Sequence, residues 1–348
     1  MWNQNKRKIK SWFSRSILFI VTLIFPLIIH GCFFQPDDDL KPFRVGISDW
    51  PGFDIVLYAQ EAGLFQKRGL DVELVRFQNG LDTARAMLRG SVDAAFEALW
   101  EVTQVDPRND KPVFVLVTNV SAGSDGIVTQ PTLKSVKDLK GKKIGAKLGT
   151  VNHLILLEAL KLHNLKPTDV SIDNISNQAA VKRIQAEDPE ERLDGAVVWE
   201  PLLSNTAQKI QGNIVYTTKD LDSLVIDGLV TRSGTLKDKE DELTRFILAW
   251  FDLMEVLDHN PQEVFEIVGQ QLNQSPESFA SDYAGLKKGD IAMNQRMFEP
   301  EGRLAQALAQ ITGLLREDTR HSRIIREDVE INGETVIKAI ERWQSTIN

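Results

Sequence analysis

The feature that most constrains this chain is an alternation of strand-like and helical segments that runs through it twice. From Phe43 the stretch FRVGIS has the apolar pattern of a strand, and 54–68 reads as a helix ending at Gly69. LDVELVRF alternates at period two, 81–89 reads as a helix, VDAAFEAL as a strand and PVFVLVTNV as a buried strand. After Pro131 the alternation restarts: a strand in KKIGAK, a helix over 150–164, a strand in VSIDNIS, a helix over 178–187 and a strand in LDGAVVW. NIVYTT and LVIDGLVTR follow as strands, and from Lys239 the chain is nearly all helical, with further helices over 302–316 and 334–344. Strands separated by helices imply mostly parallel sheets covered on both faces. The stretches RGSVDAAFEAL and RLDGAVVWEP echo each other, each an Asp-led turn into an apolar strand that finishes at a glutamate, Glu97 or Glu200. Two similar α/β lobes are therefore expected, with a ligand site where strand ends face each other.

The N-terminus reads as an address. Five bases and no acid lie in residues 1–31, so the remainder carries a formal −13 against −8 for the whole chain. Ile17–Ile29 is an apolar run of thirteen residues, short for a membrane span of about 20 residues and suited to a secretory signal. It leads into Gly31-Cys32, and Cys32 is the only cysteine among 348 residues. A lone cysteine after a small residue at that place resembles the bacterial lipoprotein cleavage box, so residues 1–31 are expected to be a lipoprotein signal peptide and Cys32 the lipidated residue. The other reading is an uncleaved anchor helix. Both put the body outside the cytoplasmic membrane and tethered to it, through the solvated segment 32–42. One cysteine permits no intrachain disulfide and no CxxC pair. The acidic body argues against a nucleic-acid partner. The five histidines are scattered without metal-ligand spacing, and no cofactor motif is present, so neither metal nor cofactor is expected.

Of seven tryptophans, Trp50, Trp100 and Trp199 fall at or just beyond strand ends, whereas Trp250 and Trp343 sit in helical stretches and read as core. Beside the first three lie Asp54, Glu97, Asp125, Glu200 and Asp227. Indole faces with carboxylates suit a cationic or amine-bearing ligand. Candidate contacts are Trp50, Pro51, Gly52, Glu97, Trp100, Ser121, Asp125, Trp199, Glu200 and Asp227. Gly149, Thr150, Val151 and Asn152 open a helix after a strand, a place whose free N–H groups favour an anion or carbonyl oxygen. Each has a plainer alternative: a packed turn for Trp50, a core ring for Trp100, a cap for Thr150 or Glu200, a turn for Asp125. His153 is expected near the cleft rim.

Several blocks together resemble the solute-binding proteins of ABC transporters in the nitrate, taurine, aliphatic-sulfonate and thiamine-precursor group. They are VGISDWPGFDIVLYAQEAGLFQKRGLDVELV, LRGSVDAAFEAL, SVKDLKGKKIGAKLGTVNHLILLEALKLHNL, LDGAVVWEP and HNPQEVFEIV, spread over 43–275. The resemblance implies the bilobal type II periplasmic-binding fold: two mixed sheets with flanking helices, a hinge and a helix-rich C-terminal part. Lobe 1 is then 43–124 plus 229–348 and lobe 2 is 125–228, joined by crossover strands near 121–130 and 224–232. It implies no catalysis, a monomer, a small-molecule ligand, and a permease with its ATPase as partners. The implied mechanism is hinge closure, with Gly123, Gly126 and Gly228 as permissive hinge positions. The family's anion binders use hydroxyls, amides and bases, whereas the matching loops here carry acids, which favours an amine-bearing or zwitterionic solute.

Overall fold

The computed structural model describes residues 41–105, 110–221, 224–318 and 325–343. The leader, Cys32 and most of the tether lie outside the described residues. Among the described residues no helix is long and apolar enough to cross a membrane.

Among the described residues twelve strands form two mixed sheets. The larger contains β1 (Phe43–Ile47), β2 (Val72–Arg76), β3 (Ala94–Ala98), β4 (Pro112–Ser121), β10 (Ile226–Arg232), β11 (Leu286–Lys288) and β12 (Glu330–Ile331), in the order β11-β4-β10-β3-β1-β2 with β12 beside β4. The smaller contains β5 (Asp125–Thr129), β6 (Lys143–Ala146), β7 (Ser171–Asn174), β8 (Gly195–Trp199) and β9 (Asn213–Thr217), in the order β7-β6-β8-β5-β9. β1 runs parallel to β2 and β3, while β10 is antiparallel to both β3 and β4. In the smaller sheet β6 is parallel to β7 and β8, and β5 is antiparallel to β8 and β9. The chain crosses between sheets at 122–124 and again between β9 and β10.

Most elements fall where the apolar pattern puts them, and the differences have local causes. The helix expected over 54–68 is three short ones, Pro51–Asp54, Val56–Glu61 and Leu64–Lys67, and Gly63, at φ +67°, turns the chain between the second and the third. The expected boundary at 228 falls inside β10, all of which belongs to the larger sheet. Gly228 does not bring the left-handed freedom expected of it. It makes room instead, since a Cβ there would sit 2.1 Å from Phe114 Cζ and 2.2 Å from the Leu116 carbonyl oxygen. At the first crossing Gly123 does have a positive φ, +139°.

The helix Arg303–Glu317 adds a third link. Its Leu304, Ala307 and Ile311 share one apolar core with Leu99 and Val102 after β3, and with Leu154 and Ile155 of the helix Val151–Leu162. Gln310 Nε2 donates to Glu158 Oε1 at 3.1 Å, and Lys161 Nζ pairs with Glu317 at 3.0 Å. The C-terminal helices were expected with the first lobe only, because apolar periodicity identifies a buried face but not the surface that buries it.

Candidate functional site

The strand topology gathers the candidate residues along the seam between the sheets. Trp50 follows the C-terminal end of β1, Glu97 is the penultimate residue of β3, Ser121 ends β4 and Asp227 is the second residue of β10. From the other sheet, Asp125 opens β5 and Trp199 ends β8, and these two are cross-strand partners. Asp227 lies in register between Ala98 of β3 and Asn119 of β4. The seam is closed: Trp50 is 8% exposed and its ring meets Trp199 edge-on at 6.3 Å. Gln104 Nε2 also reaches across to the Gly149 carbonyl at 3.1 Å.

Four buried carboxylates meet here: Glu97, Asp125, Asp227 and Glu101, the last not anticipated from the sequence. Gly80 fixes the spacing of two of them, because a Cβ at that position would lie 1.7 Å from Glu101 Oε2 and 3.0 Å from Glu97 Oε2. Neither Glu97 oxygen receives a hydrogen bond from a donor, although the side chain has no exposure. Burial first, then the neighbouring Glu101 and Asp227, hold Glu97 well above the usual carboxylate range. Burial, then Asp125 and Glu101, do the same to Asp227, against hydrogen bonds from Trp50 and Asn119. Glu101 is pushed up to about 7 by burial, which outweighs the N–H of Val151 donated from the opposite helix end. Asp125 is also pushed up to about 7 by burial, against the Ser121 hydroxyl that donates to it at 2.5 Å.

A hydroxyl chain ties this cluster to both crossings. Gly123 N–H donates to Thr218 Oγ1 at 2.7 Å, and Thr218 Oγ1 lies 2.7 Å from Ser121 Oγ. Since Ser121 donates to Asp125, its oxygen is left to accept from Thr218.

The remaining candidates divide. Pro51 and Gly52 form the first turn after Trp50, and Gly52 lets Asn119 Nδ2 approach within 2.4 Å of where a Cβ would stand. Trp100 is core, edge-on to His153 at 5.6 Å. His153 is not at a rim: it is fully buried, and its Nε2 lies 2.8 Å from Asp318 Oδ2. Thr150 precedes its helix but its hydroxyl does not cap it, donating instead to the Lys147 carbonyl at 2.9 Å. Asn152 donates to Asn177 Oδ1 at 2.6 Å and to the Val197 carbonyl, and so holds the helix to β8. Glu200 binds Ser204, 3.0 Å to its N–H and 2.5 Å to its hydroxyl, and so caps the following helix. Asp54 is taken by Arg76 at 2.6 Å.

Asn119 and Thr218 were missed along with Glu101. Glu101 had a readable signal, four residues beyond Glu97 where strand turns to helix, the spacing that puts two side chains on one side of a turn. Asn119 and Thr218 had none, since their roles depend on long-range pairing.

The sequence profile of the family described as NMT1/THI5 like matches residues 50–264, which is more than half of the chain. The chain belongs to the NMT1/THI5-like family. Among its relatives is a Brucella abortus (strain 2308) sequence provisionally named a binding protein, 28% identical over 241 residues, covering 67% of this chain and 72% of the relative. The taurine-binding periplasmic protein of Escherichia coli (strain K12) is 25% identical over 273 residues, covering 74% of this chain and 82% of that one. The crystal structure of the periplasmic aliphatic sulphonate binding protein of Escherichia coli superposes with a TM-score of 0.68 at 16% identity, covering 82% of this chain and 94% of that one. This NMT1/THI5-like chain thus has the periplasmic-binding-protein fold, and its carboxylates and indoles occupy the seam between the two sheets of that fold.

Proposed function

We propose that this chain is the extracytoplasmic solute-binding component of an ABC importer, capturing a small polar, amine-bearing or zwitterionic compound and delivering it to a membrane permease. The observation that carries the choice of solute is the seam itself: Glu97, Glu101, Asp125 and Asp227 are buried together beside Trp50 and Trp199, and every charged side chain acting on them is acidic. The protein acts as a monomer, tethered through lipid on Cys32, with residues 43–124 and 229–348 as one lobe, joined by the start of β10 from Ile226, and the rest of 125–228 as the other. The solute docks on one lobe, contacts with the other favour closure, and the permease reads the closed form. Trp50, Pro51, Gly52, Glu97, Ser121, Asp125, Trp199 and Asp227 face the solute in this proposal. Gly149, Thr150, Val151 and Asn152 form the opposing wall through the backbone, and Trp100 and Glu200 support it. A thermal-shift screen of the protein against amines, betaines, aminosulfonates and aminopyrimidines tests this. A ligand at 100 times its dissociation constant adds about 2.7 kcal/mol of stability, and a flat response across every class contradicts the proposal. Glu97, a buried acid held above its usual range, is also what an acid–base enzyme would need. Turnover of the ligand found in the screen would favour that second reading.

A further inference from the structure

We infer that this seam exchanges protons for an organic cation: Glu97, Glu101, Asp125 and Asp227 are held too close together and too far from water to be ionised at once, so a bound cation replaces protons that the closed seam otherwise carries. The inference rests on the solute-binding reading above and adds the ligand's charge and its pH dependence.

The geometry carries it. Two carboxylate oxygens, Glu97 Oε2 and Glu101 Oε2, lie within 3.0 Å of one point beside Gly80. Both Glu97 oxygens are fully buried and receive no hydrogen bond from a donor, and the hydrogen-bonding neighbour of this carboxyl is another acid, Glu101. A buried charge needs a partner, and like charges in one site cannot all ionise. The groups facing the four come from every adjoining element. Glu200 beyond β8 acts on Asp125. Asp282 adjoins Glu200. His153 lies behind Trp100 and is bonded to Asp318. Asp54 is satisfied by Arg76. Lys219 lays its alkyl stem along Gly123 at the crossing. Among the described residues no ion pair joins a Lys or Arg to any of the four. A metal ion is the poorer occupant, because among the described residues no three His, Cys, Asp or Glu are arranged to hold one. The indoles of Trp50 and Trp199, edge to face at the same seam, suit an alkylammonium or other organic cation.

The sign follows from linkage. Each proton expelled on binding makes affinity rise by up to about tenfold per pH unit below the displaced group's pKa. Tetramethylammonium and choline are the probes, since neither cation titrates. Titrations of the full protein, followed by tryptophan fluorescence, are expected to show binding at least about tenfold tighter at pH 8 than at pH 6. Glu97→Gln and, separately, Asp125→Asn are expected to weaken binding at pH 8 and to flatten the pH profile. Binding of equal strength at both pH values overturns the proton exchange. Absence of binding by both probes, while a zwitterion or neutral compound shifts melting in the screen, overturns the cation and leaves the solute-binding reading standing. A screen flat for every class removes that reading as well.

Discussion

Asp227→Asn is expected to weaken solute binding by about 30- to 5000-fold while raising the melting temperature of the ligand-free protein. The two effects have one cause. Truncating a partner of a buried, hydrogen-bonded charge contact costs about 2–5 kcal/mol of affinity. Without solute the same carboxyl is a burden: burial and the neighbouring Asp125 and Glu101 raise it well above its usual range. A carboxyl raised in the folded state stabilises fully only below its unfolded pKa, and that stability is lost as pH rises through the folded pKa. Between about pH 5 and 8 the wild-type protein is therefore expected to lose stability as pH increases, with Glu101 and Asp125, both about 7, contributing in the same direction. Asparagine keeps the contacts to Trp50 and Asn119 and does not titrate, so the variant melts higher at pH 8 and depends less on pH. Calorimetric titration with the ligand from the screen, paired with melting curves at pH 5 and 8, measures both effects. A variant that binds as tightly as wild type places the solute elsewhere.

Arg68→Ala is expected to be the most destabilising polar substitution in the larger half, at about 3–5 kcal/mol. Arg68 grips Asp252 with two hydrogen bonds, Nε to Oδ2 at 2.6 Å and Nη2 to Oδ1 at 2.5 Å, and Asp252 has no exposure. Trp343 Nε1 donates to the same carboxylate at 3.1 Å, so the pair ties an N-terminal turn and the C-terminal helix to the helix Glu240–His259. Removing the guanidinium leaves a buried charge with one neutral donor. The double variant Arg68→Met/Asp252→Leu is expected to recover most of the loss, because an apolar pair of similar volume replaces a buried ion pair at little cost. Urea titrations of both variants check this. A single variant within about 1 kcal/mol of wild type contradicts it, since exposed pairs are worth that little.

The sequence displayed the scaffold more fully than the site. Strands such as Val72–Arg76 and helices such as Val151–Leu162 follow from local apolar period, which led to two α/β lobes with mostly parallel sheets; that the sheets are mixed came only from the family resemblance. Trp50, Trp100 and Trp199 were placed at strand ends, where a parallel-rich sheet puts its ligand, and two of the three line the seam while Trp100 is core. What local pattern does not contain is partnership across the seam. Glu200 looked as available as Asp125, yet Ser204 takes it while Asp125 faces the other acids. His153 was assigned to the rim because nothing near it in sequence announces Asp318, 165 residues away. The third link through Arg303–Glu317 was invisible for the same reason.

That link bears on how the halves open. Rotation about the two crossings alone would pull Leu304, Ala307 and Ile311 away from either Leu99 or Leu154, exposing apolar surface on one flank.

The central claim is that the solute lies between Trp50 and Trp199, with its amine among Glu97, Asp125 and Asp227. A crystal structure of the protein grown with the compound giving the largest shift in the screen tests it most directly. The account predicts that compound within hydrogen-bond distance of at least two of those carboxylates. Finding it instead in the open groove of about 830 Å³ that includes Phe265, Tyr283 and Arg296, with the carboxylate seam unchanged, would contradict the account.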